Sequence, residues 1–303
     1  MVRYLSHAEI DQAKWDLCIE QAPNGLVYAY SWYLNIASPN WEALILDDYL
    51  AVMPLTAHRK YFIHYLSQPY FTQQLGVFAK HGLSQDLLQN FLLAIPKKFK
   101  FIDIQLNEQN QVLHPKLKLR KRRNYVLDLA KSYEKIAKEY STQNKRNLKK
   151  AKKFELQIQS IGISETILFY KLHKAVSTKG VKESDYERLQ QLMDKATEQQ
   201  KILCKGVFDK SGELLAAGAF LAHKNRIIFL LGNGSELGRE KGAMTYLMDN
   251  IIFLFAEHRM VLDFEGSEIE GIARFFKSFG AEKRNYYRFK RNRLPWLMRL
   301  FKN

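Results

Sequence analysis

A cluster of glycines marks the part of this 303-residue chain that is best suited to bind a ligand. Gly232, Gly234 and Gly238 fall within seven residues, and Gly242 opens an apolar run that ends at Ala256. Glycine tolerates positive φ, so a loop of this composition can turn several backbone N–H groups toward one ligand. The spacing therefore predicts a ligand-binding turn directly in front of a helix.

Alternating and helical periodicities predict the elements that hold this turn in place. Residues 214–222 and 226–231 read as two strands joined by a tight turn at 223–225. Apolar residues from Met244 to Phe255 recur at helical spacing, which predicts a helix over 242–258 packed on a sheet. The remaining predicted elements are a buried strand, a second glycine turn, a short amphipathic helix and a closing strand, over 260–264, 265–267, 269–279 and 285–291.

A lysine on the short helix lies within an aromatic run. Lys277 belongs to the sequence Phe-Lys-Ser-Phe-Gly. From the residues alone it reads as a solvated lysine between two buried phenylalanines, Phe276 and Phe279.

The order of these elements resembles the core of the GNAT-type acyltransferases. The run LDFEGSEIEGIARFFKSFGA is also similar to the C-terminal segment of the FemAB/FemX aminoacyltransferases, a two-domain branch of that superfamily. The matching residues are Asp263, Gly266, Phe276, Lys277 and Gly280. This resemblance implies that Lys277 faces a cleft and supports transfer onto an amine.

The resemblance also implies a site for the pyrophosphate of a cofactor. GNAT enzymes use a Gln/Arg-x-x-Gly-x-Gly/Ala turn at a helix N-terminus, where N–H groups and the helix dipole favour anions. Arg239, Lys241, Gly242 and Ala243 occupy matching positions here, whereas Met244 replaces the last Gly/Ala and Glu240 adds a negative charge. Two donors therefore stay open, acyl-CoA or an aminoacyl-tRNA.

Further family positions fall outside this segment. Asp103 follows an apolar strand and occupies the place of a cleft aspartate in the family, although a strand-end turn residue is the alternative. The run STQNKRNLKKAKKFEL resembles the basic helix that opens the second domain in the family, with Arg146 and Lys150 at its matching positions. These two residues are expected to bind phosphate, with a solvated helix face as the alternative.

Two landmarks indicate that the fold is duplicated. An alanine before a basic turn recurs as Ala57 and Ala222, and an aspartate after a strand recurs as Asp103 and Asp263, at nearly the same spacing. The basic run 116–123 precedes a new strand and predicts a domain boundary near residue 125. The expected fold class is α/β with mixed (α+β) sheets, in two tandem GNAT-like domains over 1–125 and 126–303. The first domain lacks the glycine cluster and is expected to be the degenerate copy.

Composition limits the partners. The formal net charge of +16 favours anionic partners, whether nucleotide phosphates, RNA or an acidic membrane face. The family resemblance implies CoA, a nucleotide-linked cell-wall precursor or tRNA as the anionic ligand. The longest apolar runs are shorter than the roughly 20 residues of a membrane span, and no signal peptide is visible. Cys18 and Cys204 have no metal-ligand spacing and read as incidental thiols, so we expect no metal and a cytoplasmic location. Association with the inner membrane face is an alternative, and the sequence does not predict the oligomeric state.

These features predict an acyl- or aminoacyltransferase that works by positioning an amine against an activated ester or thioester. The competing hypothesis is a non-catalytic module, a decayed transferase whose basic surface binds RNA or an acidic membrane. The C-terminal residues 294–303 are expected to form a short helix that docks on the first domain, because so short a helix is marginal in water unless it packs. A membrane anchor is the alternative for this helix.

Overall fold

The computed structural model describes residues 1–111, 117, 119–173, 180–266 and 268–296. The chain divides into two compact units. Unit 1 comprises residues 1–122 and 285–303, and unit 2 comprises residues 123–284. The predicted C-terminal helix lies mostly in residues 297–303, outside the described residues.

Unit 1 is built from short strands with three helices placed between them in the chain. Its strands are β1 (Val2–Leu5), β2 (Glu42–Leu46), β3 (Ala51–Leu55), β4 (Ala57–Lys60), β5 (Ile63–Ser67), β6 (Phe78–Ala79) and β7 (Phe99–Leu106). Its helices are α1 (Gln12–Gln21), α2 (Ser31–Ala37) and α3 (Gln85–Ala94). Strands β1, β2, β3 and β6 form an antiparallel sheet in that order. Strands β4 and β5 form an antiparallel hairpin, and β5 also pairs parallel with β7.

Helix α3 closes the core of unit 1. Ser84 caps its N-terminus, because the serine hydroxyl accepts a hydrogen bond from the backbone N–H of Leu87. Its apolar stripe, Leu88, Phe91 and Leu92, is fully buried against both sets of strands. Each of these side chains contributes about 1.5–3 kcal/mol through burial.

Unit 2 contains one mixed sheet and most of the helices. Its elements in chain order are β8 (Leu119–Asp128), α4 (Tyr133–Lys138), α5 (Thr142–Lys153), β9 (Gln157–Ser160), α6 (Ile163–His173), α7 (Glu183–Glu198), β10 (Ile202–Phe208), β11 (Leu214–His223), β12 (Arg226–Gly234), α8 (Glu236–Lys241), α9 (Ala243–Phe255), β13 (Val261–Asp263), α10 (Glu270–Lys277) and β14 (Glu282–Asn292). The strand order is β8-β13-β12-β11-β10-β9, with only the β12–β13 pair parallel among these strands. The predicted hairpin, helix 242–258 and buried strand are confirmed as β11–β12, α9 and β13. Helix α9 buries Leu247, Met248, Ile251 and Ile252 in the core, whereas Phe253 and Leu254 are exposed.

The two compact units divide the chain differently from the predicted domains at the C-terminus. We assigned residues 126–303 to the second domain, but residues 285–303 belong to unit 1. Strand β14 begins in unit 2, and its residues Tyr287–Asn292 pair antiparallel with Leu106–Phe101 of β7. A strand joins whichever edge satisfies its backbone hydrogen bonds, so its place along the chain does not fix its domain.

Both units contain the same connection, as the fold class predicted. In each, the second strand of an antiparallel hairpin is followed along the chain by a helix and then by a strand that pairs parallel with it. These elements are β4, β5, α3 and β7 in unit 1, and β11, β12, α9 and β13 in unit 2. The first copy departs from the predicted landmarks in two ways. Its hairpin turn lies at Tyr61–Phe62 instead of 58–59, and Asp103 lies inside β7 instead of at its end.

Buried amides fill the loop of unit 1 that corresponds to the glycine cluster. The Asn110 side chain accepts a hydrogen bond from the Val77 backbone N–H (2.7 Å) and donates one to the Val77 carbonyl (3.0 Å). A side chain at Gly76, where φ is +98°, would meet the Asn110 carboxamide oxygen at 2.2 Å. The degenerate copy therefore holds a solid amide network in this loop.

A buried ion pair joins the strands at the centre of unit 2. Arg226, the first residue of β12, forms an ion pair with Asp263, the last residue of β13, and these side chains are 14% and 5% exposed. Asp263 also accepts hydrogen bonds from the Asn124 side chain (3.0 Å) and the Glu265 backbone (2.9 Å). The ion pair of Arg226 and Asp263, which we call the clamp, thus links β12 and β13 beside their short parallel pairing.

We expect Arg226→Met to lower the free energy of unfolding by about 3 kcal/mol, because it leaves the buried Asp263 carboxylate without its cation. Urea denaturation followed by circular dichroism measures this loss. Lys131→Met is the matched control, since it removes an exposed ion pair with Glu139 and should change stability by less than about 1 kcal/mol. Adding Asp263→Asn to Arg226→Met should restore part of the lost free energy of unfolding. Equal stability of the wild type and Arg226→Met would contradict a stabilising role for this ion pair.

Candidate functional site

A pocket of about 430 Å³ lies in unit 2 where β12 and β13 stop pairing. Strand β13 pairs only with Arg226–Ile228 of β12. Strand β12 continues without this partner to Gly234, and Phe229, Gly232, Asn233 and Gly234 of this part line the pocket. The side of β12 that faces away from β11 is thus available to a ligand.

The pocket wall is mostly apolar and contains a few polar groups, of which the Arg239 guanidinium is charged. The lining residues come from α5, α6, β12, α8, the start of α9 and α10: Asn147, Tyr170, Phe229, Gly232, Asn233, Gly234, Gly238, Arg239, Gly242, Met244, Thr245, Gly271, Ile272, Phe275 and Phe276. Among these described residues none is Asp, Glu, His, Cys or Lys. The wall therefore provides shape and hydrogen bonds, and it offers no nucleophilic thiol, imidazole or carboxylate to form a covalent intermediate.

The first turn of α9 reaches the pocket next to α5. Gly242 ends α8 and caps α9 in the left-handed region, with φ of +78°. A Cβ on this residue would meet the backbone carbonyl oxygen of Asn147 at 2.6 Å, so glycine is required both by φ and by the close approach of α5. The Asn147 side chain donates a hydrogen bond to the Thr245 hydroxyl (3.2 Å). These contacts hold the N-terminus of α9 at the pocket wall.

The predicted cofactor-binding residues separate into two groups. Arg239, Gly242 and the buried Ala243 lie at the junction of α8 and α9, and the first two line the pocket. The Arg239 guanidinium donates a hydrogen bond to the Gly234 carbonyl (3.0 Å).

Lys241 is turned away from the pocket. Its ammonium group is paired with Asp209 at 2.9 Å and lies 5.6 Å from the centre of the Phe154 ring. Hydrogen bonds from the Ser211 hydroxyl and then from Lys241 lower the pKa of Asp209 far below its ordinary value. Lys241 is thus engaged in a stable ion pair on the outer side of α8.

The glycine cluster has a different physical role from the one expected. Residues 236–241 form α8, whose N-terminus is capped by Ser235, so the loop is filled by a helix of its own. Positive φ occurs at Gly242 but not at Gly232, Gly234 or Gly238. A side chain at Gly238 would meet the Leu215 carbonyl oxygen at 2.0 Å. Close packing of backbones, and not an open cradle of N–H groups, explains this glycine.

The basic helix predicted to bind phosphate is α5, and it adjoins the pocket. Asn147 of α5 lines the pocket, and Arg146 and Lys150 are exposed on the same helix. The Lys150 ammonium lies 3.5 Å from the carbonyl oxygen of Glu240 in α8. Six of the twelve residues of α5 are basic and none is acidic, so the helix brings a concentrated positive charge to one side of the site.

The two residues expected to be catalytic do not line the pocket. Lys277 is exposed on α10, and its ammonium lies 5.7 Å from the centre of the Tyr125 ring. Residues Ile272, Phe275 and Phe276 of the same helix form the pocket wall. Asp103 belongs to unit 1 and is paired with Arg288 of β14. Their catalytic roles remain predictions.

Sequence reasoning missed several residues that make the pocket. Asn147, Tyr170 and Phe275 were not singled out, and Phe276 was named as a family-matching position and a buried residue but not as part of a pocket. A neutral amide inside a run of lysines and arginines was the available signal for Asn147. Burial raises the pKa of Tyr170, so its hydroxyl stays protonated and can donate a hydrogen bond.

The described residues contain no group of three His, Cys, Asp or Glu that could hold a metal ion. Both thiols are buried, and burial raises the pKa of Cys18 to about 11 and that of Cys204 above its ordinary value. In the same residues no helix has the length and apolarity to cross a bilayer.

The chain forms two α/β units, and unit 2 carries the pocket. The FemAB family model matches residues 112–204, and the expected resemblance to the FemAB/FemX branch is thereby confirmed. No curated protein sequence matches the chain.

Solved structures support the same fold over nearly the whole chain. A crystal structure of FemX is similar with a TM-score of 0.66 and 12% identity, covering 99% of this chain and 100% of that one. A conserved protein of unknown function from Bacteroides thetaiotaomicron gives 0.63 and 10% identity over 96% and 99% of the two chains. L-PGS from Bacillus licheniformis gives 0.56 and 10% identity over 96% and 95%. The family match and the shared fold support a transferase of the acyl or aminoacyl class.

We expect Gly242→Ala to destabilise unit 2 by about 1–3 kcal/mol, because the new methyl group is strained by φ and collides with the α5 backbone. Thermal unfolding measures the effect. Gly162→Ala is the control, since a Cβ there meets nothing within 4 Å. An unchanged melting temperature in Gly242→Ala would show that α5 and α9 are not held this closely.

Proposed function

We propose that this protein transfers an acyl or aminoacyl group from an activated ester or thioester onto an amine. The observation that carries the proposal is the mostly apolar pocket beside the part of β12 that β13 does not cover, next to the first turn of α9. An acyl chain fits against Phe229, Met244 and Ile272. The donor carbonyl would then lie toward the N-terminal turn of α9, where backbone N–H groups and the dipole stabilise an oxyanion.

The reaction requires no covalent step on the protein. The neutral amine of the acceptor attacks the carbonyl carbon, and its lone pair forms the new N–C bond. The tetrahedral oxyanion then collapses, the C–O or C–S bond of the donor breaks, and the proton lost by nitrogen goes to the leaving oxygen or sulfur. The absence of acidic, imidazole and thiol groups among the described lining residues fits such direct transfer, in which positioning supplies most of the catalysis.

The charge next to the pocket favours a polyanionic donor such as an aminoacyl-tRNA. Helix α5 presents its exposed cations beside Asn147, whereas Lys241, expected to bind the pyrophosphate of CoA, is paired with Asp209. Each phosphate that Arg146 or Lys150 neutralises releases condensed counterions, so a long phosphate backbone gains more from this helix than one pyrophosphate does. The FemX-like fold and the FemAB family match agree with this donor, and acyl-CoA is the second candidate because α9 has an N-terminus without a side-chain cap at the pocket.

We expect the double variant Arg146→Glu/Lys150→Glu to bind bulk tRNA at least tenfold more weakly than the wild type. The physical reason is the loss of two phosphate contacts and their replacement by repulsion. Fluorescence anisotropy with labelled tRNA, repeated over a series of salt concentrations, should also show a shallower salt dependence for the variant.

A matched control separates this local effect from net charge. Arg188→Glu/Lys195→Glu changes the total charge equally but on α7, where the two cations only pair with Asp185 and Glu198. It should bind tRNA almost as the wild type does. Equal weakening in both double variants would reduce α5 to general surface charge. If the wild type binds CoA but not tRNA, and the α5 double variant no longer binds CoA, acyl-CoA is favoured as the donor instead.

We expect Gly271→Phe to abolish group transfer while leaving tRNA binding intact. Gly271 lines the pocket, and a Cβ there meets nothing within 4 Å, so a phenyl ring can be accommodated and would narrow the space for the acyl group. Transfer is measured as the movement of a radiolabelled amino acid from charged tRNA to each of a set of primary amines. Gly162→Phe is the control outside the pocket. Wild type that binds charged tRNA but never transfers would support the non-catalytic module.

A further inference from the structure

The turn between β4 and β5 in unit 1 carries two aromatic residues in an unfavourable backbone conformation. Lys60 pairs with Ile63, so Tyr61 and Phe62 are the whole turn, and their φ values are +47° and +63°. A two-residue hairpin with positive φ at both positions favours Asn-Gly, and bulky residues are outliers there. Neither ring gains burial in exchange, since Tyr61 is 76% and Phe62 87% exposed.

Basic groups surround these rings. The Arg59 guanidinium lies 5.5 Å from the centre of the Phe62 ring, and the Lys60 ammonium lies 5.3 Å from that of Tyr61. An open depression next to the turn is lined by Tyr61, Phe62, Ile63, His64, Lys98, Lys100, Arg293, Leu294, Pro295 and Trp296. None of these described residues carries a carboxylate, and Asp86 is the only acidic residue between Asp48 and Asp103 in the sequence.

The chain segment that ends the described structure adds a third aromatic group. Leu294 is buried in unit 1, and the Arg293 backbone N–H donates a hydrogen bond to the Lys100 carbonyl (2.7 Å). These contacts fix the chain here, while Trp296 is 71% exposed. Strain, exposure and charge thus coincide in one hairpin patch, which we define as Arg59, Lys60, Tyr61, Phe62, Lys100, Arg293 and Trp296.

We propose that the hairpin patch docks unit 1 on the surface of an anionic lipid bilayer. Tyr and Trp favour the headgroup region, where an apolar ring meets a polar boundary, and Phe62 at the tip would enter the acyl region. Exposed Lys and Arg side chains contact lipid phosphates and are attracted by the negative surface potential. This surface is separate from the pocket of unit 2, and the proposal does not depend on the transfer chemistry proposed there.

The ring arrangement favours a bilayer over single-stranded nucleic acid. Proteins that bind single strands offer open ring faces on which bases stack, along a basic groove. Here a cation of the same hairpin already lies at each ring of the turn, so stacking would displace Arg59 and Lys60. Insertion between lipids leaves these cation–ring contacts in place and lets the cations reach the phosphates.

The test is co-sedimentation of the full chain with vesicles of phosphatidylcholine, alone or with one third phosphatidylglycerol. We expect binding to the mixed vesicles and at least tenfold weaker binding to the neutral ones. Tyr61→Asn/Phe62→Gly should weaken binding to mixed vesicles at least tenfold, with an equal or higher melting temperature because Asn-Gly suits the turn. Lys60→Glu/Lys100→Glu should weaken it similarly and remove the salt dependence.

Leu168→Asn/Leu172→Asn is the matched control, since it removes two other exposed apolar side chains, on α6, and should bind vesicles as the wild type does. Failure of the wild type to sediment with mixed vesicles overturns the proposal. So does unchanged sedimentation of Tyr61→Asn/Phe62→Gly. A third contrary outcome is that the hairpin variants lose affinity for poly(U) while vesicle binding stays as in the wild type, which would assign the patch to RNA.

Discussion

The short parallel pairing of β12 with β13 is the constraint on which the site of unit 2 depends. It spans three residues on each strand and is clamped by the buried pair of Arg226 and Asp263. Because pairing stops there, β12 leaves its far edge uncovered, and α9 and α10 pack around the resulting space instead of a strand. The aromatic stack of Phe264 and Phe276 fastens α10 to the end of β13. The point at which the strand pairing ends therefore sets both where these helices pack and where the pocket forms.

Charge is distributed unevenly around this pocket, and the distribution limits its ligands. The wall is mostly apolar, with Arg239 as its charged group, while the adjoining helix α5 has a basic residue at every second position on average. A ligand that matches both parts has an uncharged or weakly polar group joined to phosphates. The ion pair of Lys241 with Asp209 strengthens this division, because it removes one cation from the pocket side.

Unit 1 repeats the connection of unit 2 but uses the corresponding loop for packing. Around Val77, the side chains of Asn107 and Asn110 satisfy backbone groups that an empty loop would leave to solvent or ligand. A buried amide network of this kind is rigid only when each polar group has a partner. The duplicated fold thus separates two tasks: the second copy keeps a pocket, and the first has a solid loop and an exposed basic, aromatic hairpin.

The sequence by itself determined the elements whose signals are local. The apolar stripe of α9, the hairpin β11–β12 and the repeated strand–helix–strand order follow from periodicity and turn residues, which neighbours along the chain decide.

Tertiary structure decided the rest. Whether Lys277 or Phe275 of α10 reaches the pocket depends on which face packs on β13 and Phe264. The place of β14 was decided by its pairing with β7, a strand far from it in the chain. Gly238 and Gly242 looked like a phosphate loop in the sequence, but they are glycine because the backbones of Leu215 and Asn147 come too close for any side chain. Such contacts join residues far apart in the chain, and no local pattern records them.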